Sequence, residues 1–266
     1  MSKITGSEQT IELLVNCKTY PAVSKKYFET VCTGGVQASG EFVRLYPVPF
    51  RFLEEAERYG RWDVIKVKVY KDTKDSRPES WHLQQGTPIE VVRNISNEKK
   101  RWDWMQSTIH ASTKAMENAG LTNGCIEIEP IELYWKPDDQ ELSEAQMQIV
   151  QQQNLFISGE DLKLLADRPK WQYRLKFREL STGREDDCKV LAWSYYQGLR
   201  RNLRQMSETE ALQATADVIR SSIFNPEKTI FGIFGTHSRF KHWMISAIYH
   251  VPTKIAAPKV KQGGLF

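Results

Sequence analysis

The sequence predicts a mixed α+β protein. A small antiparallel β-barrel or curled sheet fills its first half, and an antiparallel sheet with packed helices fills its second. Three observations carry this. Residues 63–70 alternate strictly, with Ile65, Val67 and Val69 on one side and Lys66 and Lys68 on the other. Residues 171–180 alternate again, Trp171, Tyr173, Leu175 and Phe177 against Gln172, Arg174, Lys176 and Arg178. Helix signals gather after that second strand, including the capping box Ser207-x-x-Glu210.

Taken in order, residues 11–15 read as a first strand, and 18–26 leave it as a loop containing Pro21 and Ser24. Residues 29–36 and 41–47 form a strand pair around the turn signals Gly34-Gly35 and Ser39-Gly40. In the second of these, Phe42, Arg44 and Tyr46 share a face. A short helix is expected over 51–59, stopped by Gly60, and a strand over 87–92. A long helix is expected over 102–119, closed by Gly120, then a strand over 125–135. The Gln-rich stretch 140–153 reads as a connecting segment. The expected division is 1–136, a linker at 137–157, and 158–266, the last opening on the N-cap signal of Ser158 to Asp161. Helices follow at 194–204 and from Ser207 to about 222, then strands at 229–235 and 241–250. No internal repeat is visible.

At 266 residues and a net charge of +4, the chain is mildly basic, which is compatible with a polyanionic partner without requiring one. Cys17, Cys32, Cys125 and Cys188 form no C-x-x-C pair and lack histidines at ligand spacing, so reduced, buried thiols are expected. No metal or cofactor is expected. No apolar run reaches membrane-spanning length, and a cytoplasmic protein is expected.

Four constellations could carry chemistry. The first is a basic surface interleaved with aromatics, Lys66, Lys68, Arg174, Lys176, Arg178, Arg200, Arg201 and Arg204, able to follow a phosphate backbone. The cations of 174–178 read as outward and without a compensating acid. The second joins residues 16–51 to 75–80. Asp75, Glu79 and Glu29 are candidate catalytic carboxylates, and Lys18, Tyr20, Arg44, Tyr46, Arg51 and Arg77 candidate substrate-binding groups. Ion pairing of Arg77 or Arg44 with Asp75 or Glu29 is the structural alternative. The third is Asp187-x-Lys189, with Asp167, Glu185 or Asp186 in support, a pattern some metal-dependent nucleases use and that an acidic turn also produces. The fourth is the histidines, His82, His110, His237, His242 and His250, of which His237 lies in an inter-strand loop.

The order Lys-Thr-Tyr-Pro at 18–21, Glu-x-Val-Cys at 29–32, Arg-Leu-Tyr-Pro-x-Pro-Phe-Arg at 44–51 and Asp-x-Arg-Pro-Glu-Ser at 75–80 resembles a poorly characterised prokaryotic family. The resemblance covers the first third of the chain. Where that family tends to carry His followed by Asp-Trp-Glu, this chain has Leu191-Ala192-Trp193-Ser194 and keeps only the Trp, so Trp193 is carried over as substrate-binding and the acids are not. The resemblance implies bacterial gene sets dealing with foreign or modified DNA, and from it follows the expectation of an anti-phage DNA glycosylase that excises a modified base without a metal. Two further readings stand beside it. One is a non-enzymatic reader of nucleic acid or modified bases, and the other the metal-dependent nuclease. The partner expected in all three is DNA, including modified phage DNA.

Overall fold

The computed structural model describes residues 8–24, 28–72, 75–84, 86–138, 170–236 and 242–256. The first sheet closes on itself. Strand β1 (Gln9–Lys18) pairs with β3 (Phe28–Val36), which carries the short β2 (Ala22–Ser24) on its far end and pairs in turn with β4 (Phe42–Val48). Strand β5 (Asp63–Tyr70) returns to β1, and β6 (Ser80–Leu83) fills the gap, parallel to β4 and antiparallel to β5. A last strand, β7 (Glu90–Asn94), lies on β5. The alternation of 63–70 is realised: Ile65, Val67 and Val69 point into an interior shared with Leu13, Val15, Val43, Leu45 and the ring of Tyr59.

Helix α1 (Glu98–Met105), the two-residue β8 (Ile109–His110) and α2 (Thr113–Asn118) connect to a second sheet. There, β9 (Asn123–Pro137) pairs with β10 (Trp171–Glu179), and β10 with β11 (Glu185–Lys189). Helices α3 (Trp193–Leu203) and α4 (Glu208–Ile223) follow, then β12 (Lys228–Thr236) and β13 (Trp243–Pro252), and the four-residue α5 (Thr253–Ala256) ends the described chain. Strand β12 pairs with β9 and with β13. A parallel bridge from Val190 to Ile245, with the Leu191 N–H on the Ile245 carbonyl at 2.7 Å, joins the end of β11 to β13 and closes this sheet as well. Tyr196 and Leu199 of α3 and Leu212, Ala216 and Ile219 of α4 pack onto it.

Numbered within each ring, the five strands run first, second, third, fifth, fourth and back to the first. The third–fifth contact is the parallel one in both. This is the connectivity of the five-stranded Greek-key barrel known as the OB fold. The chain therefore repeats one topology twice, which the sequence did not disclose. Sequence identity is not needed for the repeat, because two inward stripes of apolar residues at period two satisfy the same geometry with different side chains.

Several local expectations change. Gly34-Gly35 is no turn: both lie inside β3, where a Cβ would collide with Cys17 and Leu13 of β1, and Gly40, at φ +92°, makes the turn instead. The helix expected over 51–59 is two 3₁₀ turns, Phe50–Phe52 and Glu55–Glu57. The helix expected over 102–119 is broken at Thr108 and restarted by the Ser112 side chain, which accepts from the Ala115 N–H; Gly120, at φ +70°, does close the second piece. The division at 136 does not follow the sheets, because β9 belongs wholly to the second one. The capping box at Ser207 is formed as expected. The segments 140–153 and 158–161 lie outside the described residues.

Candidate functional site: a cation-lined cavity between two barrels

The expected cluster of 16–51 with 75–80 separates into two places. One is a joint between the barrels. Arg44, outward on β4 and only 4% exposed, donates to the Asn123 Oδ1 at 2.8 Å and to the Thr122 carbonyl at 3.2 Å. Glu79, also buried, accepts from the Thr122 N–H and hydroxyl, each at 2.7 Å. Arg77 grips Asp75 through two bonds of 2.7 Å and reaches the Thr236 carbonyl at 3.4 Å. Burial works to raise the Asp75 carboxyl, but the hydrogen bonds and charge of Arg77 override it and hold it at about 2. Thus the ion pair offered as the structural alternative is formed between Arg77 and Asp75, and two of the three candidate catalytic carboxylates are committed to holding the barrels together.

The second place is a cavity of about 310 Å³ where the end of β1 meets the start of α3, walled by Phe50, Ala192, Trp193 and Ala247. Phe50 stands edge-on to Trp193, 5.3 Å between ring centroids at 83°, and edge-on to Tyr59 at 5.0 Å. The Lys18 ammonium sits 3.8 Å from the Phe50 ring centre and 5.4 Å from that of Trp193, and donates to the Tyr59 carbonyl at 2.6 Å. Burial lowers the Lys18 amine to about 8, against a smaller upward pull from Asp63. Arg61 also lines the cavity; one guanidinium nitrogen donates to the Ile248 carbonyl at 2.9 Å, and burial drives its pKa down. Glu29, the third candidate carboxylate, is buried and pairs with Arg51 at 3.2 Å, while Arg51 lies 5.8 Å over the Trp193 ring. Cys17 lines the floor with its thiol pushed up to about 12 by burial, which makes it an inert apolar surface at neutral pH.

The chain reaches this arrangement through one strand-like connection. Thr19 bridges to Ala192, and the Tyr20 N–H donates to the Leu191 carbonyl at 2.8 Å. Residues 190–192 therefore close the second barrel with one edge and hold the end of β1 with the other. This delivers Trp193 onto Phe50. Tyr20 itself stacks edge-on against Tyr196 at 5.0 Å, and Tyr46 is turned to solvent. Sequence reasoning named Lys18, Arg51 and Trp193 but missed Phe50, Tyr59 and Arg61. The run Tyr59-Gly60-Arg61-Trp62 was the available signal, and Trp62 holds a left-handed backbone at φ 73°.

The basic surface is altered by its neighbours. Arg174, Lys176 and Arg178 do point outward from β10, but acids of β9 and β11 face them. Arg174 pairs with Asp187 at 3.0 Å, Lys176 with Glu132 at 2.6 Å, and Arg178 with Glu129 and Glu185 at 2.6 and 2.5 Å. The face read as lacking a compensating acid is neutralised across the strands, which a strand read alone does not reveal. Lys66 is exposed beside Glu90, Lys68 is exposed on the same strand, and Arg200, Arg201 and Arg204 close α3. The Asp187-x-Lys189 pattern is likewise engaged: Asp187 accepts from Tyr134 and Arg174, and Lys189 pairs with Asp138 at 2.7 Å. Among the described residues no cluster of three or more metal-ligating side chains occurs. Asp167 and His237 lie outside the described residues.

Residues 9–111 match the model of a domain of unknown function (DUF8758), which spans the first barrel and the helix after it. No curated protein matches. Two solved structures are similar in outline, "Crystal structure of the tetrameric p202 HIN2" and "Crystal structure of p204 HINb domain". Each is 8% identical with a TM-score of 0.32. The first covers 94% of this chain and 98% of its own, the second 93% and 97%. At that score neither carries an argument, and the barrel assignment stands on the strand pairings alone. No helix among the described residues is long and apolar enough to cross a membrane.

Proposed function

We propose that this protein binds nucleic acid, DNA in the first instance, across its paired barrels. The observation that supports the reading is the repeated OB connectivity. In that fold the outer face of the second and third strands, with the loops after the first and fourth, is the surface that receives oligonucleotides. In the first barrel the first of these connections carries β2; its described residues and those before β6 include Tyr20 and Arg77, Lys18 ends the strand before it, and Arg51 pairs with Glu29 of the strand after it. Aromatic rings with cations between them suit stacked bases and a phosphate backbone. The test is fluorescence anisotropy of labelled single-stranded and duplex oligonucleotides over a salt series. A steep loss of affinity with salt, and preference for the single strand, is the expected result. Salt-independent or absent binding would end the reading.

A finer reading, excision of a modified base as the family resemblance implies, has one observation in its favour. Glu29 is a buried carboxylate one ion pair away from the cavity, where a base drawn out of its stack could lie against Phe50 and Trp193. Incubation in EDTA with plain and modified duplex DNA, followed by mild alkali, tests it. Alkali-dependent breaks that Glu29→Gln abolishes support excision. Intact DNA with a mobility shift leaves a reader, and cleavage that requires added magnesium moves the assignment to a nuclease.

A further inference from the structure

The cavity holds more unmet demand for negative charge than its structural role explains. Two cations line it, Lys18 and Arg61, and none of its lining residues carries a carboxylate. Two acids around it are engaged: Asp63 accepts from the Gly60 N–H at 2.6 Å and from Asn94, and Glu29 holds Arg51. Two buried donors there lack a hydrogen-bond partner. One is the indole Nε1 of Trp193, a residue 7% exposed, and the other is Nε of Arg61. Buried donors of this kind are normally satisfied, because an unmet one costs stability.

The wall adds a third element. Helix α3 is 11 residues long, and its N-cap position is Ala192, which has no side-chain acceptor for the first-turn amides. The start of the helix is tied to β1 by the bridge between Thr19 and Ala192, and the next amide, of Ser194, has no side-chain cap at the cavity end of the helix, where the helix dipole favours an anion. The remaining walls are flat and apolar, Phe50 and Trp193 meeting at a right angle, and Gln197 offers an amide that can both donate and accept.

We propose that this cavity is a binding site for a nucleoside monophosphate, with the base against the Trp193 indole beside Gln197 and the phosphate between Lys18, Arg61 and the start of α3. At about 310 Å³ the space sits at the lower end for small-ligand sites and holds one such unit. The ligand can be a free nucleotide or the phosphorylated end of a strand, since both present the same chemistry. In the second case the site rests on the nucleic-acid reading above; in the first it stands without it.

Isothermal titration of the full chain tests the assignment, using deoxynucleoside monophosphates, the matching nucleosides and inorganic phosphate. The nucleotides should bind at least about tenfold more tightly than either half alone. Lys18→Met should cost about tenfold or more, as for a lost charge-assisted bond, and Trp193→Phe, which keeps one aromatic ring and removes the donor with the fused second ring, about fivefold or more. Thermal melting of each variant confirms that it is folded. Absence of nucleotide binding by the unaltered protein, or binding that both variants leave unchanged, would overturn the site. A second arm compares oligonucleotides with a 5′-phosphate and a 5′-hydroxyl. A preference for the phosphate that Lys18→Met removes identifies a strand end as the ligand, and indifference beside tight nucleotide binding identifies the free nucleotide. Nucleotide binding without any oligonucleotide binding keeps this site and sinks the nucleic-acid reading. Oligonucleotide binding with no nucleotide binding does the reverse.

Discussion

Lys18 is the residue on which a functional cavity and a merely structural one make opposite predictions. A lysine retained to stabilise a fold should lose stability on replacement. Here burial holds the amine at about 8 against an ordinary 10.5, so charging it costs the folded state. The groups facing it are Phe50, Tyr59, Trp193, Arg61 and, more distantly, Asp63, whose pull is the weaker influence. The cost is fully present below about pH 8 and is relieved between 8 and 10.5, where the folded chain gives up its proton before the unfolded one does. Lys18→Met should therefore raise the melting temperature at pH 7, by on the order of 1 kcal/mol or more in stability, and the gain should shrink toward pH 10. A melting temperature that falls at pH 7 would make Lys18 structural. Asp75 runs the other way. Its carboxyl is held down at about 2 by Arg77, so its contribution is complete above pH 3.8 and lost as the pH drops through about 2. Asp75→Asn should cost on the order of 2 kcal/mol at pH 7 in a urea titration and little at pH 2. If it instead abolished activity at unchanged stability, Asp75 would return as a catalytic candidate. Both residues stood out in the sequence as polar groups beside Pro and Gly. Their separation into a cavity and a joint did not, because that depends on Thr122, Asn123 and Trp193, which are remote in sequence.

At the scale of the element, the strand β10 and the helix α3 divide the basic surface between them. The period-two pattern of β10 was legible, and Tyr173, Leu175 and Phe177 are buried as it requires. The charge of its outer face was not legible, since it depends on Glu129 and Glu132 of β9 and Glu185 and Asp187 of β11, and register between strands is invisible in one of them. Arg201 and Arg204 are exposed at the end of α3 with no carboxylate partner among the described residues. Of the cations on these two elements, the free ones thus lie on the helix. Salt titrations of oligonucleotide affinity separate the two: changing Arg201 and Arg204 together to Ala should flatten the slope by about 1.4 for a single strand, whereas Lys176→Ala should leave it within error. A drop on Lys176→Ala equal to that of the helix pair would mean that phosphates displace Glu132, and the strand face would regain its place in the binding surface.

For the whole molecule, the two barrels share more than a linker. Cys17 and Val36 of the first barrel belong to the core that the second barrel builds around Phe177, Phe231 and Ile245, with Phe42 packed against it. Arg44, Glu79 and Arg77 spend their hydrogen bonds on Thr122, Asn123 and Thr236 across the joint. Gly235 fits there because a Cβ would lie 2.5 Å from the Asn123 Oδ1 that Arg44 uses. Separating the barrels would hand the partners of Arg44 and Glu79 over to water and expose the apolar surface of Cys17, Val36 and Phe42 that the shared core covers, which is the larger loss. The chain should therefore unfold in urea as one cooperative transition, with fluorescence and far-ultraviolet circular dichroism coincident, although its length would allow two domains. Residues 9–111, the stretch that matches a family model, contain the closed first ring but end before β9, the strand that β8 pairs with and that opens with Asn123, the Arg44 partner. Expressed alone, they should be markedly less stable than the whole or should associate. Arg44→Met, which removes the bonds to Thr122 and Asn123, should weaken the full chain and leave the isolated piece, where Arg44 faces water, little changed. A fragment as stable as the intact protein, or two separated transitions in the full chain, would show the joint to be a surface contact, and the cavity that depends on it would then open and close with the barrels.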